Sequence, residues 1–138
     1  MRFYISESTV ESIGFTAISS GNISYESNSI MTFDQVQTNI GGFYNNVTSW
    51  FICPFDAMYI FHLSIVGLYD EIQADIMLEN EPLATVRTHG GHESQGSNIA
   101  VIKCLATKRL WVEIKTNGLV GGEEGYTSFS GLLSERRV

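Results

Sequence analysis

The chain has 138 residues, enough for one ordinary domain that buries roughly two thirds of its unfolded surface. Hydrophobic residues make up 43% and aromatics 12% of it, which excludes a disordered or fibrous chain. A net charge of -7 repels phosphate backbones and anionic headgroups, so nucleic acid is not an expected partner.

Nor is membrane insertion expected. No apolar run approaches the ~20 residues that span a bilayer, and Met1 to Glu7 lacks the hydrophobic stretch of a signal peptide. The first dozen residues, 1–12, read as a lead or an extra edge strand, and 13–138 as the globular domain.

Along the chain, apolar residues alternate with polar ones far more often than they recur at helical spacing. Phe15 and Ala17 open the series. Tyr59, Phe61, Leu63 and Ile65 follow, then Ile72, Ala74, Ile76 and Leu78, then Ala100, Ile102 and Cys104. Leu110, Val112 and Ile114, and finally Phe129, Gly131 and Leu133, complete it. Turn signals separate these runs: Asn39-Ile40-Gly41-Gly42, Gly67 to Asp70, Glu79-Asn80-Glu81-Pro82, His89-Gly90-Gly91-His92, Ala106 to Arg109, and a Gly-rich stretch from Asn117 to Gly125 that reads as a solvated hairpin. Short strands at this density imply an all-β sandwich or barrel, without helices and without a collagen-like Gly repeat.

Cys53 and Cys104 lie in apolar surroundings and read as two buried thiols in preference to a mutual disulfide. Asn22-Ile23-Ser24 and Asn46-Val47-Thr48 fit the N-glycosylation pattern, which is usable only in a secretory pathway. The basic pairs Lys108-Arg109 and Arg136-Arg137 read as solvated surface. Enzyme constellations are missing from the sequence: it has no nucleophile elbow, metalloprotease helix or dinucleotide fingerprint, and catalysis is not expected.

Phe33, Asn39, Tyr44, Phe51, Tyr59 and Phe61 stand at intervals that resemble the globular head of complement component 1, subcomponent q, and Tyr126-Thr127-Ser128-Phe129-Ser130-Gly131-Leu132-Leu133 resembles that family's last strand. The likeness implies a tumour necrosis factor-like jelly roll of about ten strands that assembles as a homotrimer. It places Ile60, His62, Val101 and Leu132 toward the trimer axis and Tyr59, Phe61, Ile102 and Phe129 in the core. Thr107 stands where the family often has a turn Gly, so that hairpin is expected to differ in turn type.

Functionally, the likeness implies a secreted, lectin-like pattern-recognition module of innate immunity that binds carbohydrate or microbial surface ligands. The alternative is a cytokine- or adhesion-like ligand that meets a protein receptor at subunit clefts, with Tyr25, Tyr44, Tyr69 and Trp111 as candidate contacts. Family calcium sites use aspartates that have no clear counterparts in His89 to Gly96. His89, His92 and Glu93 instead form a candidate zinc-type cluster, so calcium or zinc is an open cofactor. Glu123 and Glu124 join them as candidate ligand-loop residues.

Overall fold

The computed structural model describes residues 12–136. Residues 1–11 of the expected lead, and Arg137 of the terminal basic pair, lie outside the described residues. Thirteen strands run in chain order: β1 Gly14–Ile18, β2 Ile23–Tyr25, β3 Ser29–Ile30, β4 Gln35–Ile40, β5 Tyr44–Asn45, β6 Trp50–Ile52, β7 Ala57–Gly67, β8 Gln73–Leu78, β9 Glu81–Arg87, β10 Ser94–Cys104, β11 Arg109–Ile114, β12 Gly118–Gly121 and β13 Ser128–Arg136. They form two antiparallel sheets. One has the order β2-β12-β7-β13-β1-β4 with β10 also paired to β7, and the other has the order β5-β6-β11-β8-β9 with β3 also on β11. The all-β sandwich expected from alternation is present, in the jelly-roll form that the resemblance implies. The strand count exceeds ten because two-residue ladders such as β3 and β5 are too short to show a period.

The long strand β7 organises the molecule. Its odd residues Tyr59, Phe61, Leu63 and Ile65 are fully buried, facing Ala74, Ile76, Leu110, Val112 and Ile114 of the second sheet within one core. Phe15 lies at the centre of an aromatic cluster, stacked on Tyr44 at 4.6 Å and Phe51 at 5.1 Å, with Phe129 edge-on at 5.1 Å. Each such ring stabilises the fold by about 1.5–3 kcal/mol through burial, with about 0.5–1.5 kcal/mol more for favourable ring pairing.

The packing gives physical reasons for the sequence spacings. Asn39 clamps the loop after β4: its Nδ2 donates to the Tyr44 carbonyl at 2.8 Å, and its Oδ1 accepts from the Tyr44 N–H at 3.2 Å. Tyr44 Oη then donates to the Phe33 carbonyl at 2.7 Å. Burial holds that phenol up at about 12. Gly131 sits where a Cβ would approach Phe61 to 2.6 Å and Phe15 to 2.7 Å, so the last strand passes the aromatic cluster only without a side chain.

Three local expectations change. Cys53 and Cys104 are joined in a disulfide with Cα atoms 6.4 Å apart and are not free thiols. Cys104 closes β10 opposite Ala57, while Cys53 is tied to the next hairpin by Cys53 N–H to Lys108 O at 2.9 Å and Thr107 N–H to Cys53 O at 2.8 Å. Both elements therefore converge within disulfide reach, a juxtaposition that local apolar context does not reveal. The Gly-rich stretch is not a solvated hairpin throughout, because Gly118–Gly121 is a strand paired with β2 and β7 and Val120 is buried. Lys108-Arg109 is not simply solvated either. The Arg109 guanidinium forks onto Glu79 at 2.8 and 3.1 Å and lies 4.9 Å over the Trp50 ring, holding the Glu79 carboxyl below its ordinary range. Thr107 itself has φ 74°, the left-handed region that a β-branched residue rarely enters.

Candidate functional site

The outer face of the seven-stranded sheet carries an apolar row. Strand pairing aligns Val101 of β10, Ile60 of β7, Leu132 of β13, Gly14 of β1 and Ile40 of β4 across it, because cross-strand partners share a face and the residues next to them along each strand point inward. Val101 is 60% exposed, Ile40 53% and Leu132 48%, and Ile99, one pleat along β10, is 55% exposed. The next row runs Ile99, His62, Ser130, Thr16 and Thr38, with Thr16 Oγ1 and Ser130 Oγ hydrogen-bonded at 3.0 Å. Gly14, Thr16, Thr38, Ile60, His62 and Leu132 together line a shallow depression in this face.

All four residues expected to face an axis, Ile60, His62, Val101 and Leu132, occupy this one surface. Tyr59, Phe61 and Phe129 are fully buried behind it, and Ile102 is half-buried against the core. Ile99 and Ile40 belong to the same surface. The parity of β10 points to Ile99, whereas Ile40 adjoins Gly41-Gly42 and reads as part of a turn.

At one end of the sandwich two loops meet. Glu93 from the β9–β10 loop and Glu123 and Glu124 from the turn after β12 line one notch with Asn22, Leu68 and Tyr126. The turn Glu123–Gly125 is a single 3-10 turn kinked at Glu124, φ 59°. It is pinned by the Gly122 N–H donating to Asn22 Oδ1 at 3.0 Å. Glu124, by hydrogen bond and charge, and to a smaller degree burial and the Glu93 charge, raise the Tyr126 phenol above its ordinary value. The Tyr126 carbonyl accepts from Ser64 Oγ at 3.0 Å, and Gln95 Nε2 donates to Ser64 Oγ at 2.7 Å, which ties the notch to the outer face of the sheet.

His89 and His92 lie apart from that notch. Their rings are near-parallel with centroids 6.5 Å apart. Ser94 Oγ accepts from the His89 N–H at 2.8 Å and donates to its carbonyl at 3.0 Å. Glu93 lines the notch, and among the described residues no group of three metal-binding side chains forms. Three candidates in one short loop thus do not make three converging ligands. The acidic candidates Glu93, Glu123 and Glu124 are brought together, and the imidazoles are not part of their group.

The candidate receptor contacts fare differently. Tyr25, Tyr44 and Trp111 are buried, and Tyr69 alone of the four is exposed, at 67%. Tyr25 Oη accepts from the Thr32 N–H at 3.0 Å and Tyr44 holds Phe33, so both phenols serve the fold. Asn22 and Asn46 are both exposed, and Asn46 Nδ2 donates to the Asp34 carbonyl at 3.2 Å.

The family model of the C1q domain matches residues 14–134, from the first residue of β1 into β13. The chain belongs to the C1q domain family. Curated relatives include complement C1q tumor necrosis factor-related protein 3 of Homo sapiens, 27% identical over 110 residues, covering 77% of this chain and 45% of that protein. Caprin-2 of Danio rerio is 26% identical over 108 residues, 75% of this chain and 12% of the relative. The chain thus spans less than half the length of these relatives. Among solved structures it is similar to the globular domain of zebrafish complement 1qA, TM-score 0.76 at 15% identity over 91% of this chain and 99% of that one. It also resembles Eiger TNF from S. frugiperda, TM-score 0.74 at 11% identity over 93% and 94%. At such identities the structural likeness establishes the jelly-roll fold. Among the described residues no helix is long and apolar enough to cross a membrane.

Proposed function

We propose that this C1q domain is an extracellular homotrimeric binding module, with the apolar outer face of the seven-stranded sheet as its subunit interface and the notch loops as its ligand site. One observation carries the assembly: Ile99, Val101, Leu132 and Ile40 leave large apolar side chains exposed on one contiguous sheet face, where a solitary sandwich would present polar residues. A cyclic assembly buries such a row by setting one part of the face against another part of the next copy. The buried Cys53–Cys104 disulfide supports an oxidising compartment, and the exposed sequons at Asn22 and Asn46 suit the same setting.

The ligand reading follows from the donor set. Glu93, Glu123 and Glu124 accept hydrogen bonds from hydroxyl groups or pair with an ammonium, and they repel anions. Neutral or amino-bearing sugars of a microbial surface therefore suit the notch better than sialylated ones, and three copies acting together would multiply a modest affinity. The reading as a ligand for a protein receptor is weaker, because three of its four proposed aromatic contacts are committed to the core.

A glycan array tests this, with the wild type compared against the double variant Glu123→Gln/Glu124→Gln. The expected result is retention on neutral or amino sugars that the variant loses. Equal binding by both proteins, or retention on sialylated sugars only, would refute the assignment to the notch.

A further inference from the structure

We infer that His62 makes the subunit assembly acid-labile, so that the module holds together near neutral pH and comes apart in mildly acidic surroundings. The inference rests on the trimer reading above. His62 stands in the outer face between Ile99 of β10 and Ser130 of β13, with Ile60 and Ser64 before and after it on that face of β7. It is half-buried within one chain and lines the central depression of the face. A neighbouring copy seated on the apolar row would cover it completely.

What surrounds the ring decides the sign. From β10 the facing positions are Gln95, Ser97, Ile99, Val101 and Lys103; from β13 they are Ser128, Ser130 and Leu132; from β1, Gly14, Thr16 and Ile18; and from β4, Thr38 and Ile40. The charged position among these is Lys103, paired with Met58, four residues along β7 or about 13 Å away. Glu135 pairs with the same Met58 from β13. Among the described residues no side chain hydrogen-bonds or ion-pairs with His62, and the acidic position of β13 on this face, Glu135, pairs four residues away along β7. Burying such a cation unpaired is costly, so the assembled state excludes the proton that a separated chain accepts.

The sign then runs one way. A group that binds a proton only when the copies are apart leaves association unaffected at high pH and weakens it as pH falls. A histidine that can protonate only in the separated state weakens association about tenfold per side chain between pH 7.5 and 5.5, and three copies compound to about 10³-fold. The overall charge acts in the opposite direction: a chain at -7 loses negative charge on acidification, so mutual repulsion falls. Dissociation in acid would therefore point to a local cation and not to the global field.

Sedimentation equilibrium at pH 7.5 and 5.5, at one ionic strength, tests this on the wild type, His62→Gln and His62→Lys, with circular dichroism confirming that each is folded. The expected pattern is a wild-type trimer at pH 7.5 whose association weakens about 10³-fold at pH 5.5, a His62→Gln trimer at both pH values, and weak association of His62→Lys at both. A wild-type trimer of unchanged stability at pH 5.5, a His62→Gln protein that dissociates in acid as the wild type does, or a His62→Lys trimer as stable as the wild type would each overturn the switch while leaving the trimer intact. A wild-type monomer at pH 7.5 would remove the trimer reading, and the switch with it.

Discussion

Replacing both Cys53 and Cys104 with alanine tests the most consequential local difference between the sequence reading and the structure. The disulfide closes a loop of 51 residues of sequence separation, and the loop-entropy relation converts that length into about 4 kcal/mol of stabilisation at 25 °C. Strain and residual structure in the unfolded chain generally reduce such values, so a loss of about 2–4 kcal/mol is expected. For a domain of this size each kcal/mol moves the melting midpoint by about 3–4 °C, which gives a decrease of about 6–16 °C. Both sulfurs are fully buried, so alanine exchanges the bridge for a small void without exposing a polar group. Scanning calorimetry of the oxidised wild type and of the double alanine variant, at equal protein concentration and neutral pH, measures the difference. In parallel, the denatured wild type should take up no alkylating reagent before reduction and two equivalents after. A midpoint shift below about 2 °C, or two reactive thiols without reductant, would refute the bridge and remove its support for an oxidising compartment.

Gly131→Ala should destabilise by about 1–3 kcal/mol, the range for overpacking a filled core, since its Cβ would fall 2.6 Å from Phe61 and 2.7 Å from Phe15; chemical denaturation with an unchanged midpoint would contradict the packing. Tyr44 links stability to alkaline pH: its folded phenol is raised to about 12 from an ordinary 10, so its contribution is complete below pH 10 and is lost as pH rises toward 12. Besides the Tyr126 phenol, which Glu124 also raises, absorbance titration should show a tyrosine ionising at about 12 that disappears in Tyr44→Phe. Its persistence in that variant would reassign the buried phenol.

The spacing Phe33, Asn39, Tyr44 was legible because it encodes a closed local network: a side-chain amide clamping a turn and a phenol reaching back to a carbonyl. Alternation in β7, β8 and β11 was legible because one face of each is packed against the core. What the sequence hid were relations that only topology creates. Cys53 and Cys104 lie in unrelated apolar contexts and meet because β10 runs the full length of β7. The strand Gly118–Gly121 lacks a strand composition and pairs because glycines permit close approach, with a Cβ at Gly121 falling 2.9 Å from Leu68. In the candidate site, Glu93 joins Glu123 and Glu124 across some thirty residues of sequence because their loops emerge at the same end of the sandwich. His89 and His92, its neighbours in sequence, do not line that notch, and Ser94 ties the His89 backbone back on its own loop.

The most direct test of the account is the mass of the particle in solution. Sedimentation equilibrium of the wild type at neutral pH and micromolar concentration should return three times the 15.3 kDa chain mass. The variant Val101→Glu/Leu132→Glu, which sets charges into the apolar row, should return the chain mass alone with its fold intact. A wild type that sediments as a monomer, or a charged variant that still forms trimers, would contradict the claim that this face joins the copies.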